Sequence, residues 1–378
     1  MAENQMTNVR EGRNVWMDNL KGIAIILMVL GHDGAPFTHW IFLFHMAVFY
    51  MASGYFWNNK HVATSKAYWQ YIWNKIKTLY VPFLICNLVF LLLNNFFIDT
   101  GIYASSQEYL DLIGSDNVGL LHSKFTVFQT IKQFIKICLL LGGTELGGPT
   151  WFFSSLFIAL VAFASIRFVL IRIFKKESYV LEVEIVISIA SLFVAWNISA
   201  ERMTFLMFNR LFAAYPLLVI GGWLHRLDKV WMCKWWQLFI VSIISMGVLL
   251  ILNQFGSISM ARCKIVNPIY FLSVSIAGWF LLSSVSKLMP LKPLVKLGES
   301  TRSIVMWHFI SMKSVTWAYI MIAGLPIALL GAFPYLQQSP SYLWVIYTIF
   351  GVGIPYLFGI IFDIIKDKII NIKNDTEI

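Results

Sequence analysis

Asp18, Lys21 and His32, all within the stretch DNLKGIAIILMVLGH, are residues whose types and spacing can do chemistry. A lysine ammonium can hold a phosphate, and a carboxylate one turn earlier can pair with it. An imidazole can act as a general base or take an acyl group itself. On an α-helix eleven residues turn through about 1100°, so Lys21 and His32 return to within about 20° of one meridian, about 16–17 Å apart along the axis. A cation and an imidazole then stand at opposite ends of one apolar stripe. Ionisable groups in a lipid-spanning helix are costly and by default mark function. The plainer alternative is that Lys and His simply tolerate helix ends by snorkelling.

Other polar residues interrupt apolar stretches in a similar way. WIFLFHMAVFYMASGYFW brings His45 to a depth near that of His32, so two imidazoles could line one cavity. Lower in it, Ser53, Gly54 and Tyr55 include a small-residue surface where two helices can approach closely. Ordinary packing is the simpler reading of Gly54 alone. LGESTRSIVMWHFISMK carries Arg302 at its start and His308 less than two turns in, at a depth similar to that of Lys21. Ser300 and Thr301 can cap that helix, whose N-terminus favours anions. A lone membrane histidine is more often a packing residue, but beside Arg302 and Lys21 it becomes a candidate to hold an anionic ligand. Trp151, in GGPTWFFSSLF, is either an interfacial anchor or the wall of a pocket on the far side. No metal site is expected, because no third ligand stands at suitable spacing from the two histidines. Cys86, Cys138, Cys233 and Cys263 show no CxxC spacing and read as packing residues.

The elements that must position these groups are membrane helices. The 378-residue chain is 58% hydrophobic and only 13% charged, against about 25% charged in a soluble domain. The class is therefore an all-α polytopic membrane protein. Apolar segments predict about ten spans, at residues 16–32, 40–57, 79–98, 151–172, 183–198, 210–224, 235–255, 267–286, 303–330 and 342–365. The segment 210–224 is short and contains Pro216. The segment 303–330 is overlong and is expected to tilt or break before Pro326. Residues 1–15 form a polar tail without a signal peptide's apolar run, so the first span is expected to act as its own insertion signal. Residues 16–365 form one transmembrane domain, and 366–378 a second tail.

Basic residues orient the spans. With both termini in the cytoplasm, nineteen of the 29 Lys and Arg fall on cytoplasmic segments. The outer segments then hold seven, Lys124, Lys132, Lys136, Arg202, Arg210, Arg262 and Lys264, while Lys21, Arg167 and Lys313 lie inside spans. The net charge of +10 thus reads as anchoring to the cytoplasmic leaflet and not as nucleic-acid binding. The outer loop 99–150 is long. In its second half Phe125, Phe128, Ile131, Ile135 and Cys138 follow helical spacing, which predicts an amphipathic helix near 125–141 at the outer interface.

Taken in order, DNLKGIAIILMVLGH, FLFHMAVFYMASGYFW, TWFFSSLF and LGESTRSIVMWHF resemble the membrane acyltransferase-3 family over nearly the whole chain. The resemblance implies a ten-span core and transfer of an acetyl group from cytoplasmic acetyl-CoA to a carbohydrate or other extracytoplasmic acceptor. The family signature is a basic residue, ten residues and a histidine, and residues 22–31 supply the ten here. The essential histidine carries to His32. The basic residue, usually arginine, is Lys21 in this chain, which lacks arginine's bidentate grip on phosphate. His45, Ser53, Gly54, Trp151 and His308 also fall on family-like positions. Many relatives carry an added soluble esterase-like domain. Without one, the chain acts on its acceptor directly or hands the acetyl group to a separate soluble protein.

The expected assignment follows. His32 and His45 are catalytic, with His32 as base or acyl carrier and His45 orienting it or stabilising the oxyanion. Asp18, Lys21, Ser53, Tyr55, Arg302 and His308 contact the donor, and an extended pantetheine arm is on the order of the Lys21–His32 distance. Trp151, Glu145 and Arg210 contact the acceptor, expected to be a cell-surface polysaccharide or its lipid-linked precursor. The rival reading is a transporter or flippase for a lipid-linked sugar, though the chain lacks paired halves with matching broken helices. A glycan polymerase relying on outer-loop arginines is a weaker third.

Overall fold

The computed structural model describes residues 14–105, 111–112, 121–174, 176–198, 206–230 and 234–375. Residues 1–13 of the expected tail 1–15, Arg202 and Cys233 lie outside the described residues. Among those described there is no strand, only an isolated bridge between Ser259 and Lys264. The helices are α1 (Val15–Leu30), α2 (Thr38–Phe42), α3 (His45–Tyr55), α4 (Ser65–Lys75), α5 (Val81–Leu92), α6 (Asn94–Asp99), α7 (Val127–Cys138), α8 (Trp151–Ile173), α9 (Glu177–Ile198), α10 (Leu206–Val230), α11 (Trp235–Leu252), α12 (Pro268–Leu288), α13 (Lys292–Glu299), α14 (Thr301–Ala323) and α15 (Leu343–Asp375).

Each predicted span overlaps helix, but among the described residues six helical stretches are long and apolar enough to cross a membrane: Ser65–Leu92, Gly148–Ile173, Glu177–Ile198, Trp235–Leu252, Pro268–Leu288 and Leu343–Lys366. The remaining four depart for identifiable reasons. α1 has only 16 residues. The segment 40–57 is broken at Leu43–Phe44 into α2 and α3. α10 is longer than expected at 25 residues and runs through Pro216, but it carries Arg210, Arg226 and Asp228. α14 is loaded with Arg302, His308 and Lys313. It ends where a break was expected before Pro326, with Gly324 in the left-handed conformation (φ +63°) and a 3₁₀ turn at Ile327–Gly331.

The segment expected at 79–98 is displaced. Helix runs from Ser65 through a π turn at Ile76–Tyr80 into α5, and α6 is separate. Pro82 lacks an N–H and its ring crowds the carbonyl four residues back, a conflict that the wider π turn relieves. The amphipathic helix is present as α7, capped by a reciprocal Thr126–Gln129 box. Phe128, Ile131 and Ile135 of its predicted apolar face are exposed while Ile137 is buried, which leaves the apolar face open, as an interfacial helix requires.

Two glycine locks set the interior. A Cβ added to Gly22 of α1 would stand 1.9 Å from the Leu294 carbonyl oxygen, and one on Gly298 of α13 would stand 1.9 Å from that of Asp18. Between α3 and α10, a Cβ on Gly54 would meet the Leu218 oxygen at 2.0 Å and one on Gly221 the Met51 oxygen at 2.1 Å. Backbone thus lies on backbone at both crossings, the packing that small residues permit between membrane helices. The close approach expected at Gly54 is present. The core built on α1 and α3 includes Met17, Leu20, Ile25, Phe44 and Tyr50, all fully buried. Apart from it, Arg167 of α8 and Glu184 of α9 form a buried ion pair at 3.2 Å, and each charge offsets the other's burial.

Candidate active site

The apolar stripe of α1 does not reach His32 as an unbroken helix. The helix ends at Leu30, the Gly31 amide donates to the Leu27 carbonyl at 2.9 Å, and the His32 amide tightens to the Val29 carbonyl, also at 2.9 Å. Gly34 follows with φ +84°. The direction of the His32 ring is therefore set by this turn and not by helical phase with Lys21. The ring stacks on His308 (centroids 5.7 Å apart, 29° between planes) and meets the edge of Phe309 at 5.0 Å.

Asp33 ties the turn down. One carboxylate oxygen accepts from the Ala35 amide at 3.0 Å and the other accepts from the Thr348 hydroxyl of α15. Only 1% of Asp33 is exposed, and this burial pushes its carboxyl up from 3.8 to about 6. A carboxyl raised in the folded state withdraws stability as pH rises from 3.8 through about 6. Asp33→Asn does not ionise and can still accept from Ala35, while its amide nitrogen donates to the Thr348 oxygen, whose proton then goes to the Trp344 carbonyl. Thermal unfolding across this range is expected to show the wild-type midpoint falling with pH relative to the variant, and parallel curves would exclude the effect.

His45 is the first residue of α3, a position created by the break after α2. Its Nδ1 donates to the Ile41 carbonyl at 2.9 Å, and Nδ1 of His308 donates to the Ile304 carbonyl at the same distance. A carbonyl only accepts, so Nδ1 carries the hydrogen in both rings. In its neutral form each ring then presents a lone pair at Nε2, and that of His308 is buried without a hydrogen-bond partner among the described residues.

His32 and His45 open onto a cavity of about 450 Å³, lined also by Met28, Phe42, Trp151 and Phe152 and by residues 257–262 and Lys264. Its size and apolar lining with a few polar groups suit a small-molecule or sugar-sized ligand. Trp151 is a cavity wall, one of its two expected roles. Arg210 is not: its guanidinium lies over Trp151 at 4.5 Å and its Nε donates to the Ala261 carbonyl at 2.8 Å, so it holds the wall from behind. Glu145 does not line the cavity either. Its carboxylate is 3.0 Å from Nε2 of His122, which stacks on Tyr103 at 4.1 Å.

His308 belongs with His32 and not with Lys21. Gly298 abuts Asp18 and Gly22, so helices rising from that crossing start level. Ten residues lead from Gly298 to His308 and ten from Gly22 to His32, and the two rings meet in a stack. The depth expected for His308 ignored α13, which starts the climb at the level of Gly22.

At the other end of α1, Lys21 pairs with Asp18 at 3.3 Å and lies 5.4 Å from the Phe56 ring. The Tyr55 hydroxyl donates to Asp228 at 2.9 Å, and Lys287 bridges the same carboxylate at 2.8 Å while lying 4.5 Å from the Trp16 ring. Asp228, Lys287 and Trp16 were missed. An acid in HRLDKV and a lysine closing an apolar span were the available signal for the first two. Ser53 donates to the Phe49 carbonyl of its own helix at 2.9 Å, so its hydroxyl is already engaged. Arg302 is exposed. Among the described residues no three His, Cys, Asp or Glu gather as metal ligands.

A family model described as an acyltransferase domain, that of the acyltransferase-3 family, matches residues 14–360. No curated relative and no solved structure matches. The matched region runs from the N-cap of α1 into α15 and takes in both ends of α1, the histidine-lined cavity and its Trp151 wall. This membrane-helical chain belongs to the acyltransferase-3 family.

Proposed function

We propose that the protein moves an acetyl group from cytoplasmic acetyl-CoA to a hydroxyl of an extracytoplasmic acceptor, a cell-surface polysaccharide or its lipid-linked precursor. The observation that carries this reading is the arrangement on α1: an ammonium at one end, and at the other a histidine facing a cavity that a second histidine shares. Ten spans with both termini in the cytoplasm, as the basic residues favour, orient Lys21 inward and the cavity outward. Membership of an acyltransferase family weighs against the flippase and polymerase readings.

The donor's phosphates lie by Lys21, with Lys292 and Lys296 of α13 adding charge where that helix packs on Gly22. The pantetheine arm runs along α1 and brings the thioester to the cavity. The acceptor hydroxyl attacks the thioester carbonyl carbon while His32 takes its proton. The tetrahedral intermediate then collapses, the carbon–sulfur bond breaks, and the imidazolium returns the proton to the coenzyme thiolate. With Nδ1–H given to Ile41, neutral His45 has no donor for an oxyanion. It supports the reaction by accepting, which orients His32 or the incoming hydroxyl.

Acetyl-labelled acetyl-CoA incubated with the purified protein in lipid nanodiscs tests the reading. Release of label as acetate or as an ester, with stoichiometric free thiol, is expected. Lys21→Ala should raise KM for acetyl-CoA about tenfold, as loss of one charged hydrogen bond does, with a smaller effect on kcat. Donor left intact by the wild-type protein would sink the proposal.

A further inference from the structure

The loop that lines the cavity, residues 257–262 and Lys264, is unlike a site for a neutral sugar. Neutral sugar hydroxyls donate as well as accept, and carboxylate and amide side chains are the usual groups that accept from them. Among the described residues, no Asp, Glu, Asn or Gln lines this cavity. Its charged liners are Arg262 and Lys264, and its other polar liners are three histidines and two serines.

The loop bearing these cations is fixed in shape. Ser259 and Lys264 exchange backbone hydrogen bonds at 2.9 Å in both directions, and the Arg262 amide donates to the Ser259 carbonyl at 3.1 Å. Arg210 grips the Ala261 carbonyl from behind. Cys263 takes a left-handed conformation (φ +51°) and is buried, as are Ile258, Met260 and Ile265. Arg262 and Lys264 flank that inward cysteine and are both exposed. Neither side chain has an ion-pair partner among the described residues, whereas Arg167, Lys287 and Lys21 each sit against a carboxylate. Two cations on a braced loop, with no ion-pair partner and no acid lining the cavity among the described residues, share that cavity with the histidines and make a one-sided field that favours an anion.

We infer that the acceptor is an anionic glycan, whose carboxylate or phosphate is held by Arg262 and Lys264 while a neighbouring hydroxyl reaches His32. This rests on the transfer reading above and narrows its acceptor. Carboxylate and phosphate share this recognition chemistry, and the sugar-acid and phosphodiester sources are separated by experiment. Binding is measured in nanodiscs without donor, using three probes: a galacturonate hexamer, a glycerol-phosphate hexamer and a neutral galactose hexamer. At least one anionic probe is expected to bind about tenfold tighter than the neutral one, the effect of two exposed ion pairs. The preference should shrink as salt is raised, because exposed charges are screened. The better anionic probe identifies the source. Arg262→Gln with Lys264→Gln should abolish the preference, and since both side chains are exposed the fold has no reason to change. Equal binding of all three probes, binding of neither anion, or a preference that survives the double substitution overturns the inference. A protein that binds an anion in this way but leaves acetyl-CoA intact would refute the transfer reading alone.

Discussion

His32→Ala is expected to lower the rate of acetyl transfer by about a thousandfold, within the range for loss of a positioned general base. It should do so without unfolding the protein. The His32 ring makes stacking and edge contacts to His308 and Phe309, while the turn that carries it is held by backbone bonds and by Asp33. Labelled acetyl-CoA consumption by the purified variant, read beside its thermal unfolding midpoint, separates chemistry from folding. His45→Ala should have a smaller effect, because its proposed task is orientation through a lone pair. Transfer by His32→Ala at the wild-type rate would remove the imidazole from the mechanism.

The largest effect on stability is expected at the glycine locks. Gly54→Val places branched carbon where even a Cβ would stand 2.0 Å from the Leu218 carbonyl oxygen. Overpacking ordinarily costs about 1–3 kcal/mol when side chains can shift. Here the obstructing atom is backbone, and α3 and α10 must separate, so destabilisation should reach or exceed about 3 kcal/mol, the upper end of that range. Gly22→Val meets the same obstacle against α13. Ser53→Ala is the natural comparison, since its hydroxyl bonds only its own helix and its loss should stay below about 1 kcal/mol. Heating each variant in detergent and following the monodisperse fraction checks the contrast. Equal midpoints for Gly54→Val and Ser53→Ala would contradict the interlocked backbone.

What could be read from the sequence follows from which forces act locally. Apolar runs report helices because lipid demands internally bonded backbone, and every predicted span overlaps a helix. The pairing of Asp18 with Lys21, the capped helix α7 and the break before Pro326 are short-range features, and they were legible. The break that puts His45 at a helix start was not, since WIFLFHMAVFYMASGYFW is evenly apolar across it. The end of α1 at Leu30 was hidden for a similar reason: Gly31 and Gly34 permit a turn without requiring one.

Levels and partners between helices were the least visible. Counting from Arg302 puts His308 at the Lys21 end, whereas its ring stacks on that of His32. Tyr55, Asp228 and Lys287 come from three helices, and no spacing in the sequence links them. Arg210 and Glu145 were expected to contact the acceptor, but the contacts seen are with the protein itself, to Ala261 and Trp151 in one case and to His122 in the other.

The central claim is that donor and acceptor meet across the membrane, Lys21 facing the cytoplasm and His32 the outside. Right-side-out vesicles from the producing cells, loaded internally with acetyl-labelled acetyl-CoA, test it most directly. The expected result is ester-bound label on externally accessible glycan with the wild-type protein and none with His32→Ala. Label that stays inside, or that reaches the outer glycan equally with His32→Ala, would contradict the claim.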